Sequence, residues 1–323
     1  MNEIQRYIVE EHVEDFDDGL ITRRELLRRV TLITGSLGAT MSLLAILGCD
    51  VNRPQPAAVP TATGSAPSAG PNVPYATPPA QPTKDGVTVK RDDPRITVLD
   101  ATVIAADGAR LIGYLARPKA DGRYPGVVVV HENAGLLEHI RDVVRRVATA
   151  GLVGASIDLL SRQGGADKLG DGYAAALGRR SADDMVKDLQ ATFAYLRGQP
   201  YVDATRFGLT GFCIGGGLVW STLGAGTDVK AAAPFYGPAP SRLDGLATQK
   251  AAVSAVYAEK DTRITQSASM IEEQLKKSGK AYKITVYPGV DHAFHNDTGP
   301  RYSAEQAQKA WVATIEWFKQ YLV

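Results

Sequence analysis

The stretch most suited to chemistry is GFCIGGG, Gly211 to Gly217, where an apolar run ends and Cys213 stands with glycines two before and two after it. A strand that turns directly into a helix forces the residue at the turn into a strained backbone, and glycines at those flanking positions relieve the crowding. The thiol is then held over the carboxyl edge of a sheet, at a helix N-terminus whose positive potential favours thiolate. The Ile214 N–H can face a developing oxyanion there. Two other readings of the cysteine are open, a buried small hydrophobe and a nucleotide-binding glycine loop. The second fails, because no GxGxxG opens an early strand-helix unit.

Partners for a nucleophile follow in order along the chain. Asp261 lies in VYAEKDTRI and His292 in YPGVDHAFHND, each just after an apolar strand pattern. In this arrangement His292 takes the thiol proton and later activates water, and Asp261 fixes the imidazole's tautomer. Asp291 is the competing acid and His295 the competing histidine; adjacency to His292 argues against the first, and a loop or substrate-facing place is expected of the second. In VVVVHENAG the Asn133 N–H is expected to complete the oxyanion hole. Glu132 beside it either tunes the thiol or forms a surface salt bridge.

These residues need a scaffold that brings several loops to one edge. ITVLDATVIAA and ARLIGYLARP read as a hairpin closed around Asp107 and Gly108. YPGVVVVHE is the near-continuous apolar run of a strand buried on both faces. Helical and strand patterns then alternate: helix 137–150, strand LVGASIDLL, helix 181–197, strand RFGLTGFC, a helix after Gly215, strands VKAAAPFYG and AVSAVYAEKD, helix 266–278, strand YKITVYP and helix 304–321. That series predicts an α/β fold with one mostly parallel central sheet flanked by helices on both faces.

Taken together, HENAG, DLLSRQGG, GFCIGGG, AEKDTRI and GVDHAFHNDTGPRY resemble the dienelactone hydrolase family of α/β-hydrolases, over residues 93–323. The resemblance implies a Cys213, Asp261 and His292 triad, with Glu132 contacting the nucleophile. It also implies substrate contacts from Arg162, Arg301 and Tyr236, the arginines suiting a carboxylate-bearing lactone through paired hydrogen bonds. The expected activity is hydrolysis of a small ester or lactone, as in a carboxymethylenebutenolidase, through a thioester and without metal or organic cofactor. A general carboxylesterase or acyl hydrolase, or a non-catalytic binding lipoprotein, are the alternatives.

The N-terminal part reads differently. TRRELLR, with Arg23 and Arg24, precedes a modestly apolar run from Val30 to Leu47 that ends in ILGC. This resembles a twin-arginine export signal followed by a lipobox, so residues 1–49 are expected to be an export signal and Cys49 a lipidation site. The other reading is a transmembrane signal anchor of about 18 residues. Residues 50–90 hold half of the chain's 18 prolines among Ala, Ser, Thr and Gly and are expected to be a disordered tether, leaving residues 91–323 as the catalytic domain. Localisation on the outer face of the cytoplasmic membrane follows, and a monomer is expected. No physical role is evident for the long acidic leader from Met1 to Gly19.

Composition narrows the classes further. The chain is 44% apolar and 22% charged with formal net charge +1 and no long block of like charge, which argues against a nucleic-acid partner. Its only cysteines are Cys49 and Cys213, with no CxxC pair, which excludes a cysteine-built zinc site and argues against a disulfide.

Overall fold

The computed structural model describes residues 1–52 and 88–323. Three helices open the chain: α1 (Glu3–Asp17), α2 (Arg23–Thr34) and α3 (Leu37–Ile46). The predicted hairpin follows as β1 (Ile96–Ile104) and β2 (Arg110–Pro118), then β3 (Tyr124–Val130), α4 (Glu138–Thr149) and β4 (Val153–Ile157). Short helices α5 (Ala166–Leu169) and α6 (Tyr173–Leu177) precede α7 (Ala182–Arg197), β5 (Val202–Phe212) and α8 (Ile214–Gly224). The chain ends with β6 (Ala231–Phe235), β7 (Ala252–Ala258), α9 (Thr262–Thr265), α10 (Ala268–Ser278), β8 (Tyr282–Tyr287) and α11 (Ala304–Leu322).

The eight strands form one sheet in the order β1-β2-β4-β3-β5-β6-β7-β8. β1 and β2 pair antiparallel, β2 meets β4 antiparallel, and every pairing from β4 to β8 is parallel. Every residue of β6 and β7 is buried, so side chains that alternate between the two faces are covered on both. That explains why these strands read as unbroken apolar runs. The α/β-hydrolase fold expected from the sequence is the fold observed.

The central crossing depends on missing side chains. A Cβ on Gly215, in the first turn of α8, would lie 2.5 Å from the His131 carbonyl oxygen and 2.6 Å from that of Val130. Backbone cannot yield as a flexible side chain can, so Gly215→Ala should cost about 3 kcal/mol and lower the domain's Tm by roughly 6–12 °C. A thermal melt within about 2 °C of the parent would contradict this account of the crossing.

Residues just ahead of the expected domain also pack against α4. The N–H groups of Thr88 and Val89 donate to the Asp142 carboxylate at 3.0 and 2.7 Å, and the Arg145 guanidinium donates to the Val89 carbonyl. Most of the predicted tether, residues 53–87, lies outside the described residues.

The N-terminal segment is folded as three helices. α2 and α3 do not continue one another: Gly35 ends α2 at φ +82°, Ser36 caps α3 by accepting from the Ala39 N–H, and the helices meet at 105°. Gly35 permits a left-handed backbone that a β-branched residue would resist. Among the described residues no single helix is long and apolar enough to cross a membrane, although the bent pair together has that length and composition. The acidic leader, left without a role in the sequence, is the amphipathic helix α1. Asn2 and Gln5 close a capping box at its start, and Ile8, Val9 and Phe16 are fully buried.

Candidate active site

β5 and α8 meet at Cys213, whose backbone has φ 59° and ψ −127°. Among the described residues only two other non-glycines have positive φ, Tyr236 and Ala293. Tyr236 packs its ring 5.0 Å from that of His292, and Ala293 is the next residue in the chain, so the backbone strain is concentrated at one place. Such strain costs about 1–3 kcal/mol per residue and persists only where the surrounding fold enforces it.

Loops after β7 and β8 supply the other two members. His292 Nδ1 lies 2.6 Å from Asp261 Oδ2, and both side chains are almost wholly buried. Asp261 also accepts from the Ile264 N–H at the start of α9, which anchors the carboxylate. Asp291 is occupied elsewhere: its Oδ1 accepts from the backbone N–H of His292 at 2.7 Å. His295 is a core residue, stacked on Phe212 at 5.0 Å, and burial pushes its pKa well below the ordinary histidine value. It lies in the loop between β8 and α11, as expected, but its ring is turned into the aromatic core.

The fourth face of the site is closed by α1. Glu11 Oε1 accepts from the Cys213 thiol at 3.0 Å and from the Tyr7 hydroxyl at 3.2 Å, and lies 3.1 Å from His292 Nε2. Glu11 Oε2 accepts from Asn133 Nδ2 at 2.6 Å. Burial alone would raise this carboxyl's pKa, but the hydrogen bond and charge of His292, aided by Arg263, hold it down to about 2. For His292, burial favours the neutral form and is outweighed by the charge and hydrogen bond of Asp261, with Cys213 and Glu11 adding to them; its pKa stands well above the ordinary value. Burial and then the Glu11 charge push the Cys213 thiol up to about 12. With Glu11 in place, these directions favour the charged imidazole and the Glu11 carboxylate and disfavour the thiolate of Cys213.

Glu132 sits at the site but does not touch the sulfur, contrary to the contact that the resemblance implies. Its Oε2 accepts from Asn296 Nδ2 at 2.5 Å and its Oε1 from the Tyr236 hydroxyl at 3.5 Å, while burial raises its pKa. The carboxylate on the thiol is that of Glu11. Neither is Glu132 a surface salt bridge.

Both arginines expected to bind substrate are engaged by protein carboxylates. Arg162 bonds Asp188 at 2.7 Å and Asp107 at 2.9 Å, both within the domain. Arg301 bonds Asp15 at 2.9 Å and Asp18 at 2.6 Å, both from the N-terminal segment. Sequence reasoning missed Glu11, Tyr7, Asn296 and Arg263. Arg263 makes a two-pronged bond to Glu14 at 2.7 and 2.9 Å and lies 4.9 Å from the centre of the Tyr7 ring. For α1 the available signals were the Asn2 to Gln5 capping pattern and the acidity of the leader; neither says where a helix docks.

Known proteins share this architecture. The sequence profile of the Dienelactone hydrolase family matches residues 111–322. A Synechocystis protein assigned as a carboxymethylenebutenolidase is 37% identical over 229 residues, covering 65% of this chain and 92% of its own. One from Escherichia coli K12 with the same assignment is 33% identical over 260 residues, 76% of this chain and 94% of its own. Among solved structures, a Klebsiella pneumoniae protein assigned as a dienelactone hydrolase superposes with a TM-score of 0.64 at 30% identity, covering 70% of this chain and 99% of its own.

Proposed function

The chain belongs to the dienelactone hydrolase family and is a hydrolase, and from that premise we propose that it opens a small ester or lactone by attack of Cys213, through a thioester. The observation that carries this reading is the His292 Nδ1 to Asp261 contact of 2.6 Å beside a cysteine at a strained strand-helix turn. His292 Nε2 removes the thiol proton as the sulfur bonds the acyl carbon, and the backbone N–H groups of Ile214 and Asn133 receive the oxyanion. Collapse of that adduct breaks the ester C–O bond, and the alkoxide or enolate leaves with the proton from His292. Water, deprotonated by His292, then hydrolyses the thioester and returns the thiol.

A substrate with its own carboxylate is favoured by Arg301, a cation beside the cleft that already holds two carboxylates. Arg162 supports this less, since domain residues Asp107 and Asp188 neutralise it. The fragment 88–323 is suited to the test, since the Klebsiella chain, matched over 99% of its own length, covers 70% of this one. It should hydrolyse a carboxylate-bearing dienelactone in preference to a neutral aryl ester, with an acyl adduct on Cys213 detected by mass spectrometry after rapid acid quench. Faster turnover of the neutral ester would move the protein to a general carboxylesterase, and no acyl adduct with either substrate would oppose the thioester route.

We further read the N-terminal part as an export signal with Cys49 as the lipid-bearing residue. Support comes from Arg23 and Arg24, both exposed, and from Leu37, Met41 and Ile46 of α3, which are 58%, 40% and 80% exposed although apolar. Cys49→Ala should abolish labelling of the chain by a radioactive fatty acid in cells; labelling that survives the substitution would refute the anchor.

A further inference from the structure

We propose that α1 is a tethered competitive inhibitor of the Cys213 site, with Glu11 as an internal product-like carboxylate, so that the chain with α1 docked is latent. The proposal rests on the hydrolytic reading above for its consequence, and on geometry for its substance. Hydrolysis of an ester leaves a carboxylate beside the nucleophile, and the Glu11 carboxylate lies at that place. It is 3.0 Å from the sulfur and 3.1 Å from the base, with its second oxygen taken up by Asn133 of the loop proposed to form the oxyanion hole. An acyl carbon cannot approach the sulfur while Glu11 is there.

Burying a carboxylate is unfavourable unless its lone pairs are satisfied, and here Tyr7, Cys213, His292 and Asn133 satisfy them. Contacts around the rim make the fit specific to an acidic helix. Arg263 grips Glu14, Arg301 grips Asp15 and Asp18, and Asn2 Nδ2 donates to the Gly178 carbonyl at 2.9 Å. Ile4, Ile8, Val9 and Phe16 add a buried apolar face. These bonds account for the acidity of the leader, since its carboxylates are placed against cations at the cleft mouth. Displacing α1 would return those cations, the thiol and the imidazole to a substrate together.

The test uses the full chain and reads Cys213 directly, by its rate of alkylation with iodoacetamide in peptide maps that separate it from Cys49. Two variants loosen α1 by different means: Ile8→Asp puts a charge in its buried face, and Asp15→Arg with Asp18→Arg reverses its pairing to Arg301. Each should speed Cys213 alkylation at least about tenfold and ester turnover in parallel. A synthetic peptide of residues 1–19 should slow alkylation of the Ile8→Asp chain again, and the same peptide with Glu11→Ala should not. Equal alkylation rates in the parent and in both variants would overturn the proposal. Faster alkylation with no turnover of any ester would uphold the occlusion by α1 and refute the hydrolytic reading instead.

Discussion

Cys213→Ala in the 88–323 fragment is expected to lower kcat/KM by about 10⁴-fold or more for any ester the parent hydrolyses. The sulfur is the only protein atom that the proposed route bonds to the acyl carbon, so its loss leaves only the oxyanion donors and substrate binding to act. The fold should survive, because alanine removes a small buried group and leaves the flanking glycines in place. Circular dichroism melts and initial rates check both halves. A variant retaining more than about 1% of parental turnover would place the nucleophile elsewhere.

The second large effect is expected from Asp261→Asn, about 10³- to 10⁴-fold in kcat. An amide at that position can donate to Nδ1, which stabilises the tautomer with its proton on Nε2, where the base must be bare. It also removes the charge that outweighs burial and raises the His292 pKa. The sign follows. A pKa raised in the folded state contributes stability that is fully present below the unfolded histidine value and is lost as pH rises through the elevated one. Removing Asp261 lowers the pKa of the base itself, so the acidic limb of the rate profile should move to lower pH while the plateau falls. Asp291→Asn, which disturbs only a backbone bond to His292, should stay within about threefold of the parent and keep the parental profile. Loss of activity and a moved profile in the Asp291 variant, with neither in the Asp261 variant, would exchange the roles of the two acids.

The site was legible in the sequence where chemistry is tied to local geometry. Gly211, Cys213 and Gly215 announce a strand-helix turn because that turn is sterically possible with few side chains. Asp261 could be matched to it because β7, buried on both faces, is an unbroken apolar run, and His292 because YKITVYP still shows a strand pattern although β8 is a half-exposed edge strand. The roles of single surface and loop groups were less accessible. Arg162 and Arg301 were singled out as cations for a substrate, and each is held by carboxylates distant in sequence, Asp188 and Asp107 for one, Asp15 and Asp18 for the other.

What the sequence by itself determined is the parallel sheet, the order of its helices and the positions of Cys213, Asp261 and His292 just after β5, β7 and β8, since periodicity, turn residues and steric exclusion act between near neighbours in the chain. What only the tertiary structure decided is which carboxylate meets the thiol. Glu132 stands two residues beyond β3 at the site, yet Glu11, 202 positions from Cys213 in sequence, takes the contact. A helix's own sequence specifies an amphipathic face, whereas its docking place depends on complementary charge and shape contributed by residues such as Arg263, Arg301 and Asn133, brought together only when the sheet has formed.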